Sequence, residues 1–433
     1  MVLLAVLSMA NFAFALSFDS SNETRSSKLY WKSNLIPISI SASLFTGNPA
    51  IRPDSDVSGA ISRSLETWEK AANIKFEATI TDSFSVSPPG KSGDGVSLLT
   101  IAQTPENLML FGGDPNDVSA RTRVFYSGKG NITEADIVLN PYQQFSTDGS
   151  FGTFDLEATL THEIGHLLGL EHSLVLGSTM QENQAKNGVY GLPAFSSRTL
   201  SEDDIAAVRS IYGVSGDSAD CCGSLSGRLT FSKGKPAASF FVWLEEFRTG
   251  RVISGTSTNA EGDFSFESLP IGEFDVFVRL NSRGSGMMNF TPERLGRVRI
   301  ENGKNFVLDR KLSPRSNDFE LKYVGFSGQL SVLSIPLEPG KTFVVYLGGR
   351  NFDSKELLVA FSSPFINIVP GTMMDHDFGK DLSVVSFEVR LEEEIPDGDY
   401  TVAVRKADGA SDVLVGVLTV GKQFNGINSY LIN

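Results

Sequence analysis

The sequence predicts a mixed helix-and-strand region over residues 30–214 followed by two small all-β units. Three observations predict it. Apolar side chains recur at three- and four-residue helical spacing only ahead of a small-residue stretch, SGDSADCCGS at 215–224. Beyond that stretch, short alternating runs are separated by Gly, Pro, Asn and Asp, the rhythm of consecutive β-sandwiches. The chain has 433 residues, and at about 150 residues per domain that length suggests about three domains. With 41% hydrophobic and 20% charged residues, general disorder is excluded. Thirty-one Phe and 41 Gly against three Trp fit many short strands and tight turns.

The elements follow in order. Residues 1–15 are expected to be a signal peptide, an apolar run ending in Ala13-Phe14-Ala15. No Lys or Arg precedes Arg25, so the positive n-region is missing and a start further upstream is expected. Export follows, with the product secreted and extracellular, or periplasmic. Leu35–Ile40 is a strand. After Pro53-Asp54-Ser55, Val57, Ile61, Leu65 and Trp68 share one helical face behind an Asp/Ser cap. Ile74, Phe76, Ala78 and Ile80 alternate with polar neighbours, which predicts a half-buried strand. Further strands are expected at Ser97–Ala102, Arg121–Ser127 and Ala135–Leu139, with a helix from about Leu156 to Leu168. Ser201 and Asp204 make a capping-box-like start for a last helix. The catalytic unit is therefore placed at 16–214, the linker at 215–224, the β units at 225–312 and 313–420, and a tail at 421–433.

Three of the four histidines lie between His162 and His172. Residues four apart on a helix share a face, so His162 and His166 can present nitrogens to one ion. Gly169 permits a left-handed turn that brings His172 round as a third ligand. Three neutral imidazoles suit Zn²⁺ and leave a fourth position for water, as a catalytic site requires. Glu163 then stands beside that water as general base, to take its proton as it attacks a carbonyl and to pass it to the leaving amine. The competing reading, three unrelated surface histidines, requires a coincidence of spacing.

His162-Glu163-Ile164-Gly165-His166-Leu167-Leu168-Gly169-Leu170-Glu171-His172, with Ser173 after it, resembles the extended zinc motif of the metzincin peptidases, and within them the matrixins. The resemblance covers roughly residues 28–214 and implies a twisted mixed sheet with three helices. It also puts Met180, in Gly177-Ser178-Thr179-Met180, at the Met-turn that floors the zinc ligands. By residue type alone Met180 would be ordinary core packing. Ala135–Asn140 is similar to the strand ahead of the active-site helix. Leu200–Ile205 is similar to the start of the last helix, whose paired aspartates help hold the Met-turn.

The departures are informative. The region has no further histidine for a second zinc, and no cysteine precedes Cys221, so the thiolate that caps the zinc in latent relatives is absent. Gln181-Glu182-Asn183 replaces the Pro or Tyr usual in animal members, so side-chain preference is not carried over. One catalytic Zn²⁺ is expected. Ca²⁺ is considered at Asp114, Asn116 and Asp117 or at Asp148, without an assigned site.

Leu225–Leu229, Thr258–Phe264 and Leu269–Gly272 resemble a carboxypeptidase-regulatory-like (prealbumin-like) β-sandwich. Residues 313–420 are similar to an immunoglobulin-like IPT/TIG domain, through Gly348–Phe352 and Pro396–Tyr400. Both are read as spacers or as binders of an extracellular polymer or surface ligand. His376, between Asp375 and Asp377, is read as exposed and inert. Cys221 and Cys222, the only cysteines, cannot staple distant elements. A vicinal disulfide, an intermolecular bridge and free thiols stay open. The net charge of −14 and the lack of any basic block exclude a nucleic-acid partner. The leading expectation is a monomeric, secreted zinc endopeptidase acting on polypeptide. The alternative is an extracellular adhesion protein with an inactive metzincin domain.

Overall fold

The computed structural model describes residues 28–45, 47–88, 93–112, 118–189, 198–214, 221–281, 290–313, 319–326 and 328–421. The signal-peptide stretch 1–15, linker residues 215–220, tail residues 422–433 and the calcium candidates Asp114, Asn116 and Asp117 lie outside the described residues.

The first region is α+β. Its elements are β1 (Leu35–Ser41), α1 (Val57–Ala71), β2 (Lys75–Thr81), β3 (Leu98–Thr100), the one-turn α2 (Pro105–Leu108), β4 (Ala120–Tyr126), β5 (Ile132–Leu139), the paired β6 (Phe145–Ser146) and β7 (Phe154–Asp155), α3 (Leu156–Leu167) and α4 (Glu202–Tyr212). The sheet runs β2-β1-β3-β5-β4, parallel throughout except for β4, which is antiparallel to β5 and ends the sheet. The cap of α1 is Asp56, whose side chain accepts from Gly59 N at 2.9 Å. The buried face of that helix carries Ile61, Leu65 and Trp68. Trp68 donates through Nε1 to the Thr161 carbonyl of α3 at 2.9 Å, which fixes the two helices against each other. Each such large apolar side chain stabilises the fold by roughly 1.5–3 kcal/mol when buried.

β2 departs from its expected half-burial. Only Phe76 and Thr81 are partly covered, and Ile80 is 72% exposed, because β2 is the other edge of the sheet and, among the described residues, lacks a covering element at that end.

A second core lies between two sheets. These are built from β8 (Gly223–Thr230), β9 (Phe240–Glu246), β10 (Val252–Ser257), β11 (Asp263–Leu269), β12 (Gly272–Leu280), β13 (Glu293–Ile300), β14 (Asn305–Val307) and β15 (Arg310–Lys311). One sheet is β10-β9-β12-β13; the other is β11-β8-β14, with β15 also on β8. β8 starts at Gly223, inside the stretch read as linker. Just ahead of it Cys221 and Cys222 are bonded to each other.

The third core lies between a sheet β17-β16-β19-β23-β21, joined by β22, and a sheet β18-β25-β24-β20. Their ranges are β16 (Glu320–Phe326), β17 (Gln329–Ser331), β18 (Ile335–Leu337), β19 (Thr342–Arg350), β20 (Leu358–Phe361), β21 (Ile366–Ile368), β22 (Met374–Asp377), β23 (Ser383–Leu391), β24 (Gly398–Arg405) and β25 (Ser411–Val420). His376 sits on β22, with Nε2 2.6 Å from Ser386 Oγ and its ring against Tyr346, so it is occupied structurally.

Candidate metal centre

α3 starts behind an Asp155 cap and carries His162, Glu163 and His166. It ends where the sequence expects. Gly169 takes φ 93°, its N–H donates to the His166 carbonyl at 2.9 Å, and Leu170 N–H donates to the Gly165 carbonyl at 3.0 Å. This pair of bonds is the Schellman closure of a helix, and the positive φ strongly favours glycine. The turn sends the chain back across the helix so that His172 meets the other two rings.

The three Nε2 atoms converge. His166 Nε2 lies 3.1 Å from His162 Nε2 and 3.1 Å from His172 Nε2. His162 Nδ1 is 2.7 Å from the Thr179 carbonyl oxygen, and His166 Nδ1 is 2.8 Å from that of Leu170. A carbonyl only accepts, so both Nδ1 atoms carry the proton, and in a neutral ring Nε2 is then a bare lone pair. Two bare lone pairs aimed at each other at hydrogen-bond distance repel unless a cation lies between them. In a tetrahedral zinc site with bonds of about 2.0–2.1 Å, ligand nitrogens stand roughly 3.3 Å apart, so the spacing fits. Burial, assisted by the neighbouring His162, pushes His166 down to about 3, which keeps it neutral as a ligand must be. Among the described residues, this trio is the one cluster of three or more His, Cys, Asp or Glu side chains able to hold a metal. Asp148 instead closes a local turn, accepting from Ser150 N at 3.0 Å and Ser150 Oγ at 2.7 Å.

Glu163 is buried, and Thr122 of β4 donates to its Oε2 at 2.5 Å. Burial raises its pKa above the usual carboxylate range, opposed by His162, Thr122 and Arg121. Arg121 is itself half-buried and pulled below its ordinary value by desolvation.

Met180 lies under α3, its sulfur against Gly165, where a Cβ would collide with it and with Trp68. The start of α4 holds this segment. Asp204 accepts from Ser201 N and Thr179 N, each at 2.8 Å, and from Met180 N at 3.1 Å. It therefore closes the capping box and the turn at Met180 together. Thr179, so fixed, offers the carbonyl that orients His162. Asp203 accepts from Ser173 Oγ at 2.5 Å, one residue past His172. Burial, with Asp204 beside it, pushes Asp203 up to about 6.

Sequence reasoning brought together His162, Glu163, His166, His172 and Met180, and these five are grouped in space. It missed Thr122 and Arg121, whose β4 strand was legible but whose side-chain direction was not. It also missed the second set of partners of Asp203, which come from β10.

Residues 108–213 match the family model described as Matrixin. A curated relative, metalloendoproteinase 1 of Glycine max, is 26% identical over 178 residues, covering 39% of this chain and 49% of the relative. The chain thus spans about half the length of that relative. Among solved structures, the major pilin subunit BcpA of Bacillus cereus is similar at 11% identity and a TM-score of 0.18, over 44% of this chain and 66% of that one. A Bacteroides ovatus mixed-linkage glucan utilization protein, SGBP-B, is similar at 12% identity and a TM-score of 0.15, over 45% of this chain and 42% of its own. Likeness at this level carries no argument about fold.

Proposed function

We propose that this chain, whose residues 108–213 match the Matrixin family model, is a secreted zinc-dependent endopeptidase. In this reading residues 1–15 direct export, 16–214 form the catalytic unit, 215–222 the linker, and 223–312 and 313–420 two accessory β units, the first of them starting with β8. The observation that carries the reading is the convergence of three imidazole Nε2 atoms while His162 and His166 are held by carbonyls at Nδ1. That arrangement suits a divalent cation, and His162 and His172 are only partly buried.

When bound, zinc supplies a Lewis acid that polarises the scissile carbonyl and acidifies water. The protein supplies the rest. β4 ends its sheet, so an extended peptide can add to its outer edge as a further strand. Glu163, made more basic by burial, takes the proton of the attacking water onto its carboxylate and passes it to the departing amine. Thr122 holds Oε2 so that this transfer occurs from a fixed position. Met180, wedged beneath Gly165, keeps a dry apolar floor under the ligands.

The test is Glu163→Gln in the full chain. Hydrolysis of an unfolded protein should fall at least about a hundredfold, the lower end for a general base, while zinc stays bound at wild-type stoichiometry. Undiminished cleavage would refute the assigned role. A zinc-loaded wild-type chain that leaves every unfolded substrate intact would refute the peptidase reading.

A further inference from the structure

The segment after the third histidine does not end in solvent. Val175 is fully buried with Phe241, Trp243 and Val252 of the second core's sheet and Val413 and Val415 of β25. Phe241, Trp243 and Phe277 stack in parallel on the outward face of that sheet, with centroids 5.8 and 5.3 Å apart. Leu176 N–H donates to the Val415 carbonyl at 2.9 Å. A Cβ on Gly177 would collide with Asp399 and Thr419, and one on Gly416 would sit 2.5 Å from Val175 Cγ1, so the approach is close on both sides.

A polar latch runs alongside. Asp203 Oδ2 takes Ser173 Oγ, while its Oδ1 takes Gly255 N at 2.7 Å and Ser254 Oγ at 3.2 Å, both from β10. One carboxylate thus joins the residue next to His172 to a strand of the second unit. Arg251, just ahead of β10, reaches Glu202 of α4, Glu246 of β9 and the Asp397 carbonyl.

We propose that the two β units are part of the frame of the metal centre: Asp203, Val175 and Trp243 are positioning residues that clamp segment 173–178, and through it His172 and Met180, between all three cores. The units are then not tethered spacers, and a ligand that pried them apart would loosen the metal. The catalytic consequence rests on the peptidase reading; the consequence for metal retention does not.

The test uses the full chain. Trp243→Ala should speed zinc loss to a chelator about tenfold, the scale on which supports of metal ligands act, and lower kcat by a similar factor with KM changed less than about twofold. Trp243→Phe should restore both. Val298→Ala, in the second unit's own core and away from the segment, should lower the melting temperature without changing zinc loss. In the wild-type chain the amides of Leu176 and Gly255 should exchange with deuterium as slowly as those of α3. Zinc loss unaltered in Trp243→Ala, or equally fast in Val298→Ala, would overturn the proposal, as would exchange of either amide within seconds. If the wild-type chain retains zinc but cleaves nothing, the peptidase reading fails while zinc loss and exchange still decide this one.

Discussion

At Glu163 the decisive quantity is proton affinity. Burial raises it, and the Thr122 hydroxyl moderates it while fixing Oε2. Thr122→Val keeps the volume and removes the donor, so kcat should fall about tenfold with zinc content unchanged, the usual effect of losing such support. Asp204 carries a heavier structural duty, since its two oxygens satisfy the cap of α4 and the backbone at Thr179 and Met180. Asp204→Ala removes that acceptor from the buried Ser201 and Thr179 N–H groups, while Met180 N–H keeps Ser178 Oγ at 3.0 Å. At about 1–3 kcal/mol for a group that loses its partner, it should lower stability and zinc affinity together, read by thermal melting and chelator competition. The candidate ligands His162, His166 and His172 and the proposed base Glu163 were legible because a four-residue helical repeat and one glycine turn are local facts. Thr122 was not, because a strand's alternation says which residues share a face but not which helix that face meets. The bond of Asp203 to Ser254 and Gly255 joins residues far apart in sequence, and no local pattern encodes it.

Among elements, α1, α3 and α4 follow from helical period and capping residues, and α2 was missed because one turn is too short to show a period. β2 was over-read: its alternation is real, yet nothing covers Ile80. β9 carries a cue of a different kind. Its apolar run Phe240–Leu244 is continuous, and both faces of the strand are buried. Phe240, Val242 and Leu244 fill the second core, while Phe241 and Trp243 meet Val175. An unbroken apolar strand in an antiparallel sheet signals a second covered face, a cue that points to contact between units. Gly177→Ala tests this contact. Its methyl would strike Asp399, so zinc should dissociate faster, whereas Gly303→Ala, in an open turn with φ 66°, should cost stability only.

For the whole molecule, the contact between the second and third units buries a carboxyl that the sequence could not flag. Glu245 accepts from Trp243 Nε1 at 2.9 Å, is also hydrogen-bonded to Thr401 of β24, and is pushed up to about 7, chiefly by burial. The folded state therefore holds this proton more tightly than the unfolded chain does. Its contribution is fully present below the unfolded value near 4.5 and is lost as pH rises through about 7. Glu245→Gln keeps the shape without the charge. It should melt with the wild type near pH 4 and above it near pH 8, by up to about 3 kcal/mol. Equal melting at both pH values would contradict this. Zinc responds in the opposite sense, because acid protonates the imidazoles.

The proposed chemistry depends on a single cation held by His162, His166 and His172 with one position left to solvent. X-ray absorption spectroscopy at the zinc edge of the metal-replete full chain tests it most directly. The expected result is one zinc per chain with three imidazole nitrogens and one further light atom at about 2.0–2.1 Å, the latter displaced by a hydroxamate. Fewer than three imidazoles, or a fourth protein side chain that a hydroxamate cannot displace, would contradict it.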